Sequence, residues 1–208
     1  MYLVIGGAGR TGRRVADLLI EMGADVVIAS RSPGRTPGAR LVDLATGIDP
    51  ALLDGIDGVV VSVEPPADTA GAEAVLHRGV AALAQAAAGT GAQVVLLSQI
   101  YVTRTAEHPG MAGVILARAR GEQVLRDSGA PYTIIRPSWL TDGPAAGVRL
   151  EQGDTGDGQV SRTAVAQAAA AALRSPAALG KTIELYDEPA AGTFDWPAAF
   201  ARLTADAS

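Results

Sequence analysis

A glycine-rich segment near the start of the chain has the spacing of a dinucleotide-binding turn. Its predicted cofactor-binding residues are Gly6, Gly7, Gly9, Arg10, Thr11 and Gly12. The pattern G-x-G-x-x-G begins at Gly7, and the related pattern G-x-x-G-x-x-G begins at Gly6. Glycine is required there because the turn is tight and its backbone must approach a pyrophosphate closely. A triphosphate-binding loop would instead need a Lys-Ser/Thr pair, whereas Arg13 and Arg14 follow Gly12.

The end of the predicted second strand distinguishes between NAD and NADP. Sites for NAD place an acidic residue there for the ribose 2′-hydroxyl, whereas sites for NADP place a cation for the 2′-phosphate. Ser30 and Arg31 occupy this position, and Asp25 lies at the opposite end of the strand. Arg31 can bind a phosphate through two hydrogen bonds, with Arg10 or Arg35 as a second cation. The sequence therefore predicts NADP(H), the alternative being that Arg31 is an ordinary solvated arginine.

The elements that would position these residues alternate between short β-branched runs and Ala- and Leu-rich stretches of helical spacing. This alternation is typical of βαβ units and of a parallel sheet covered on both faces. Strands are predicted over 2–5, 25–29, 39–42, 58–63, 93–97, 132–135 and 182–186. Helices are predicted from the spacing of Val15, Leu18, Leu19 and Met22, over 72–88, 114–127 and 164–173, and from about Pro197. The predicted fold class is α/β, a Rossmann-type doubly wound parallel sheet.

One domain is expected to span residues 1–208, because this length is enough for one such core and short for two. Residues 143–158 are rich in Gly, Asp and Pro and are predicted to form a loop. Ligands of open α/β sheets bind at the carboxyl ends of the strands. Substrate contacts are therefore predicted mainly in the loops 99–113 and 137–160. Ser161 or Thr163 is expected to cap the helix that follows.

Composition narrows the classes of partner. The net charge is -5 and the basic residues are scattered, which argues against nucleic acid and anionic membranes. With no cysteine, and with His77 and His108 as the two imidazoles, disulfides, thiolate catalysis and a metal site are not expected. No run of residues has the character of a secretory leader or a membrane span. We therefore expect a cytoplasmic protein with a small-molecule substrate, and the oligomeric state stays open.

Several segments match a known family. They are Val4 to Gly12, Ser30-Arg31, Asp43-Leu44, Val94 to Ser98, Glu122-Gln123-Val124-Leu125, Tyr132-Thr133-Ile134-Ile135-Arg136-Pro137 and Val160-Ser161-Arg162. Over nearly its whole length the chain resembles the atypical short-chain dehydrogenases/reductases of the NmrA-like, NAD(P)H-binding kind, which include flavin, biliverdin and quinone reductases. The resemblance implies that Asp43 and Leu44 contact the adenine of the cofactor. It assigns no chemistry to Val160-Ser161-Arg162.

The chain departs from this resemblance at the pair that usually carries proton transfer. Most short-chain dehydrogenases use a Tyr-x-x-x-Lys pair, in which the lysine lowers the pKa of the tyrosine and holds the nicotinamide ribose. Arg118 stands at the position of that lysine and Val114 at that of the tyrosine, while Lys181, the one lysine, follows Ala177 by four residues. Arginine can still bind a ribose or a phosphate, but it does not deprotonate in proteins.

Three residues are predicted to be catalytic: Ser98, Tyr101 and Arg118. Ser98 ends the predicted fifth strand, where its hydroxyl could orient a substrate carbonyl, although it could equally satisfy the backbone. Tyr101 is the nearest remaining tyrosine that could donate a proton, with a packing role as the alternative. Trp139 and Leu140 could wall an apolar pocket for a flat substrate, or belong to the core.

These residues predict an NADPH-dependent reductase that transfers hydride to a flat, electron-poor molecule such as a quinone, a flavin or an enone. Such acceptors tolerate the missing pair because the reduced product can take its proton from water, which leaves positioning as the main catalytic contribution. A non-catalytic sensor that binds NADP(H) and reports to a protein partner is an alternative of another class. An isomerase or dehydratase on the same fold is a further alternative.

Overall fold

The computed structural model describes residues 1–32, 36, 38–144, 147–189 and 194–207. Its strands are β1 (Tyr2–Ile5), β2 (Val26–Ser30), β3 (Arg40–Leu41), β4 (Gly58–Val61), β5 (Gln93–Leu97), β6 (Tyr132–Pro137), β7 (Trp139–Thr141), β8 (Gly147–Glu151), β9 (Gln159–Ser161) and β10 (Lys181–Glu188). Its α-helices are α1 (Arg10–Glu21), α2 (Thr69–Ala72), α3 (Val80–Thr90), α4 (Ala112–Asp127), α5 (Arg162–Arg174) and α6 (Trp196–Ala201). Arg35, expected as a possible second cation for the cofactor phosphate, lies outside the described residues.

Eight strands form one sheet in the order β3-β2-β1-β4-β5-β6-β10-β8. Every neighbouring pair is parallel except β10 and β8. Ile5 at the end of β1 lies beside Ala29 of β2 and Val61 of β4, so the carboxyl ends of these three strands meet at one edge. The strand order changes direction between β1 and β4, which is where open α/β sheets bind ligands. The predicted α/β doubly wound fold is confirmed.

The sheet is covered on both faces, and the alternation of side chains along each strand supplies both cores. Leu3 and Ile5 of β1 point into one apolar cluster with residues of α3 and α4, whereas Val4 points into a second cluster with residues of α1 and α5. Successive side chains of a strand point to opposite faces, so a strand covered on both sides must be apolar throughout. This explains the unbroken apolar runs of the central strands.

The helix predicted over 72–88 is longer and less regular than expected. It begins with α2, widens into a π-helical segment over Glu73–Gly79 and continues as α3. Two glycines allow its neighbours to approach closely. A Cβ on Gly79 would lie 2.6 Å from the carbonyl oxygen of Leu44, and a Cβ on Gly121 of α4 would lie 1.9 Å from that of Leu76. This helical face therefore packs against α4 and the turn after β3 through backbone contacts.

The prediction that 143–158 is a loop is wrong in part. Gly147–Glu151 forms the strand β8, which pairs antiparallel with β10, and Val148 packs into the second core. Glycine and acidic residues on both sides obscured this short run of alternating apolar residues. The strands β7 and β9 form a separate small parallel sheet that brackets the same segment. No helix among the described residues has the length and apolar character needed to cross a bilayer.

Candidate functional site

Three cavities adjoin along the carboxyl edge of the sheet. The corner cavity, of about 290 Å³, lies between the glycine turn and the end of β2. The central cavity, of about 620 Å³, extends from the start of α1 to Ser98 and Arg118. The outer cavity, of about 290 Å³, continues beneath Tyr101 and Trp139. Glu64 lines all three, so they form one continuous cleft.

The glycine turn is shaped by backbone contacts that a side chain would obstruct. Gly6 has a φ of +83°, and a Cβ there would lie 1.9 Å from the carbonyl oxygen of Ser62. A Cβ on Gly12 would lie 2.4 Å from the carbonyl oxygen of Gly6, and a Cβ on Gly7 would lie 2.9 Å from Cγ2 of Ile28. Gly7 and Gly12 therefore pack the turn and α1 against the sheet and do not line a cavity themselves.

The start of α1 faces the cleft with free backbone donors. Gly9, Arg10 and Thr11 line the central cavity, and Gly9 also lines the corner cavity. Gly9 is the N-cap of α1, and no side chain in the described part of the chain accepts a hydrogen bond from the first N–H groups of the helix. Uncapped N–H groups together with the positive end of the helix dipole favour a bound phosphate. The predicted pyrophosphate site thus has the required geometry.

Ser30, Arg31 and Leu44, three of the predicted cofactor-binding residues, line the corner cavity together. The Ser30 hydroxyl accepts a hydrogen bond from the N–H of Ser32 at 3.2 Å. Arg31 is exposed and forms no ion pair with another described residue. The Asp43 carboxylate instead accepts a hydrogen bond from the N–H of Ala45 at 3.0 Å and lines a neighbouring groove that also contains Arg31.

Ser98 and Arg118 meet on the wall between the central and outer cavities. Nη1 of Arg118 on α4 donates to the carbonyl oxygen of Leu97 at 3.2 Å, which places the guanidinium beside the end of β5. The Ser98 hydroxyl and the Arg118 Nε are enclosed, and neither has a hydrogen-bond partner among the described residues. Enclosure lowers the pKa of Arg118, and the negative charges of Glu64 and Glu122 oppose this shift. The pair therefore presents two unpartnered donors.

Tyr101 lies in the outer cavity and is held by its neighbours. Its hydroxyl donates to Oδ1 of Asp157 at 2.6 Å and accepts from Nε1 of Trp139 at 3.2 Å. The ring of His108 packs against it in a tilted arrangement, with the two centroids 4.0 Å apart. Burial raises the pKa of Tyr101, and the hydrogen bond to Asp157 adds to the rise. The Tyr101 proton is thus directed at Asp157, and the ring contributes a wall to the cavity.

Trp139 and Leu140 are placed where the sequence suggested an apolar wall. Both line the outer cavity, and their side chains are close to half exposed. Trp139 belongs to β7, whose pairing with β9 holds it next to Tyr101. These exposed apolar side chains face a cavity and not the core, which agrees with contact to a flat ligand.

A buried aspartate joins the two loops that the sequence predicted to contact substrate. Asp154 has no exposed surface, and its carboxylate accepts hydrogen bonds from the N–H of Tyr101 at 2.7 Å and from the N–H and hydroxyl of Thr103, both at 2.8 Å. Tyr101 and Asp154 both have positive φ, of 73° and 55°. Strained backbone of this kind persists where surrounding contacts fix it. Asp154 was not predicted as a site residue, and its glycine-flanked position indicated only a loop.

Replacing Asp154 by alanine is expected to lower the free energy of unfolding by about 2–4 kcal/mol, because one buried and two part-buried donors would lose a charged acceptor that is itself fully buried. Glu107→Ala is the control, since Glu107 lies in the same pair of loops but is half exposed, and its one ion-pair partner among the described residues is Arg104. Its effect should stay within about 0.5 kcal/mol. Urea unfolding followed by circular dichroism gives both values, and equal effects for the two variants would contradict the role assigned to Asp154.

Sequence reasoning missed two charged residues of the cleft. Glu64 follows β4, which the sequence extended to residue 63 but which ends at Val61. Arg162 is the first residue of α5, after the N-cap Ser161, whose hydroxyl accepts from the N–H of Ala164 at 3.1 Å as expected. The rule that sites lie at the carboxyl ends of parallel strands could have indicated Glu64. Arg162 belongs to the segment Val160-Ser161-Arg162, to which the family resemblance assigned no chemistry.

Comparison with known proteins places the chain among cofactor-binding domains. A family model described as NAD(P)H-binding matches residues 6–176. A protein of Streptomyces griseus named (4-alkanoyl-5-oxo-2,5-dihydrofuran-3-yl)methyl phosphate reductase is 33% identical over 190 residues, which cover 83% of this chain and 63% of that protein. Quinone oxidoreductase 2 of Escherichia coli is 26% identical to this chain over 202 residues, which cover 90% of this chain and 68% of that protein. The chain thus spans less than two thirds of the first relative.

A solved structure of similar fold extends this comparison. A protein of Bacillus halodurans described as an NAD-dependent epimerase/dehydratase superposes with a TM-score of 0.85 at 21% identity. The match covers 97% of this chain and 99% of that one. At this identity the likeness concerns the fold, and it agrees with the doubly wound sheet described above.

Proposed function

The chain belongs to the NAD(P)H-binding family of atypical short-chain dehydrogenases/reductases, and from this premise we propose that it is an NADPH-dependent reductase of small, flat, electron-poor acceptors. The observation that carries the proposal is the pair of unpartnered donors, the Ser98 hydroxyl and the Arg118 Nε, on the wall shared by two cavities. The reductase names of the Streptomyces and Escherichia relatives support both the reaction class and this kind of acceptor.

The residues of the cleft fit a nicotinamide dinucleotide. The glycine turn brings Gly6 so close to the backbone of Ser62 that no Cβ would fit there, and the free N–H groups of α1 would hold the pyrophosphate. Leu44, buried beside the corner cavity, would pack against the adenine. The contact of Asp43 with the adenine remains a prediction. When bound, the cofactor supplies a hydride.

Arg31 is proposed to select NADPH over NADH by binding the 2′-phosphate. Arg31→Ala is expected to weaken NADPH binding about 10-fold to 100-fold, because a charge-assisted hydrogen-bonded pair would be lost. NADH lacks the phosphate and is the matched control, so its affinity should change little. Fluorescence titration with both cofactors measures the two effects. An unchanged NADPH affinity would remove Arg31 from the cofactor site.

The proposed catalytic contribution of the chain is to orient the acceptor and stabilise the charge that forms on it. Ser98 and Arg118 would donate hydrogen bonds to an acceptor carbonyl, whose oxygen gains negative charge during reduction. Arg118 cannot supply a proton, since its guanidinium stays charged. The Tyr101 hydroxyl donates its hydrogen bond to Asp157 and not towards the acceptor. The reduced acceptor would therefore take its proton from water, as quinones and enones can.

The outer cavity favours an acceptor of modest size. Its volume of about 290 Å³ lies at the lower end of the roughly 300–1,000 Å³ that ligand pockets span. Trp139 and Leu140 offer one flat apolar side. A quinone or enone of one or two rings matches these dimensions better than a whole flavin, whose side chain would extend out of the cavity.

A panel of acceptors tests the proposal. Purified protein with NADPH would be mixed with a one-ring quinone, a two-ring quinone, a cyclic enone, a flavin and an aliphatic ketone, and the loss of reduced nicotinamide absorbance would be followed. We expect turnover with the quinones or the enone and little with the ketone. Binding of NADPH without turnover of any acceptor would favour the sensor, and turnover without net NADPH consumption would favour an isomerase or dehydratase.

A further inference from the structure

Arg162 occupies an unusual position for a charged residue. It begins α5 and lines both the central and the outer cavity, and only 10% of its side chain is exposed. Its one ion-pair partner among the described residues is Asp142, with Nη1 and Oδ2 3.1 Å apart. An enclosed cation needs both charge compensation and hydrogen-bond acceptors, because burial of an incompletely paired charge is costly.

Asp142 cannot satisfy Arg162 fully because two other arginines share its carboxylate. Arg10 and Arg14 of α1 lie 3.1 Å and 3.2 Å from the Asp142 oxygens. Their side chains are 70% and 37% exposed, so water can solvate them. Arg162 is the least exposed of the three and donates no hydrogen bond to another described residue within normal geometry. Its remaining donors are therefore available to a ligand in the adjoining cavities.

The outer cavity itself carries an excess of positive charge. The charged residues that line it are Glu64, Arg118 and Arg162, which gives two guanidinium groups against one carboxylate among the described residues. Arg118 lies beside Ser98, at the proposed carbonyl site. Arg162 reaches the same cavity from a different element, the start of α5, which directly follows β9. An acceptor with a carbonyl and a separate anionic group would meet both cations.

We propose that the outer cavity selects electron-poor acceptors that carry an anionic group, a carboxylate, sulfonate or phosphate, and that Arg162 binds this group. The inference rests on the proposed reductase function and specifies its substrate class. The recognised chemistry is an oxyanion held by a guanidinium. The same chemistry could come from the pyrophosphate of the cofactor, so the experiment must separate the two sources.

Two naphthoquinones that differ in charge provide the test. Menadione is neutral, whereas naphthoquinone sulfonate carries an anionic group on a similar ring. In Arg162→Met we expect KM for the sulfonate to rise about 10-fold to 100-fold, because a charge-assisted contact is lost. KM for menadione and the affinity for NADPH should change less than about threefold. Arg174→Met is the control, since it removes an exposed arginine from the other end of the same helix.

Equilibrium binding provides a second readout that does not require turnover. The chain has two tryptophans, so Trp196→Phe leaves Trp139 of the outer cavity as the fluorescent reporter. With NADP⁺ bound, the sulfonate should quench this fluorescence at lower concentration than menadione does, and Arg162→Met should abolish the difference.

The outcomes separate the inference from the function on which it rests. If Arg162→Met changes KM equally for both quinones, the anionic subsite is overturned and Arg162 belongs to the scaffold. If Arg162→Met weakens NADPH binding and leaves the preference between the quinones unchanged, the subsite is also overturned and Arg162 is assigned to the pyrophosphate. If the parent protein oxidises NADPH with neither quinone nor any other acceptor, the reductase proposal fails. Absence of selective sulfonate binding in the fluorescence assay would then overturn the subsite independently.

Discussion

Replacing Arg118 by methionine is expected to lower kcat for acceptor reduction about 100-fold to 1,000-fold, with NADPH affinity changed much less. This is the effect of removing one preorganised donor from a site where negative charge develops on an oxygen. Arg118 has the features of such a donor. Its Nη1 is fixed on the carbonyl oxygen of Leu97, and its Nε has no partner among the described residues.

Two further variants make this prediction specific. Arg118→Lys keeps the charge but loses the planar donor array, so it should recover only part of the rate. Arg120→Met is the matched control, because Arg120 lies on the same helix, is 58% exposed and pairs with Glu73 at the surface. Stopped-flow single turnovers with NADPH and a quinone would measure the chemical step. A rate for Arg118→Met within a few fold of the parent would exclude charge stabilisation by Arg118.

The second large effect is expected on stability, at a carboxylate buried between α4 and the sheet. Glu122 is 1% exposed and receives two hydrogen bonds from Arg136, at 3.0 and 2.6 Å, and one from Arg126, at 2.9 Å. Arg136, itself 8% exposed in its side chain, also donates to Glu184 at 3.0 Å. Burial acts to lower the pKa of Arg136, but the hydrogen bonds and charge of Glu122 outweigh it and raise that pKa.

Glu122→Ala is expected to lower the free energy of unfolding by about 3–5 kcal/mol, because it leaves a buried arginine without its main partner. Gln123→Ala, at the next and exposed position of α4, should cost less than about 1 kcal/mol. Chemical denaturation of the two variants beside the parent gives the comparison. If Glu122→Ala lowers the free energy of unfolding no more than Gln123→Ala does, the hydrogen bonds of Glu122 with Arg126 and Arg136 contribute little to stability.

The glycine turn at one end of the cleft was predictable because backbone geometry restricts it to particular residue types. Gly6 and Gly12 approach carbonyl oxygens so closely that only glycine fits, and such a restriction is visible in a sequence. The position of Arg31 was equally predictable, because Arg31 directly follows the last residue of β2 in the sequence. The alternation of apolar runs likewise predicted the parallel sheet, because a strand buried on both faces has no polar positions.

The outer cavity and its loops could not be predicted to the same extent because their geometry depends on contacts between distant segments. Asp154 acts on Tyr101 and Thr103, about fifty residues away in sequence. Asp142 gathers arginines from both α1 and α5. Neither aspartate differs in its local sequence from one in an ordinary loop. The strand β8 was missed for the same reason, since its place beside β10 and not its own composition determines it.

The most direct test of the central claim is titration of the purified protein with NADPH and with NADH, followed by addition of a small quinone and an enone to the NADPH complex. We expect selective binding of NADPH and its oxidation by at least one of these acceptors. Binding of neither cofactor would contradict the assignment of the cleft, and selective binding without oxidation by any acceptor would contradict the proposed reductase.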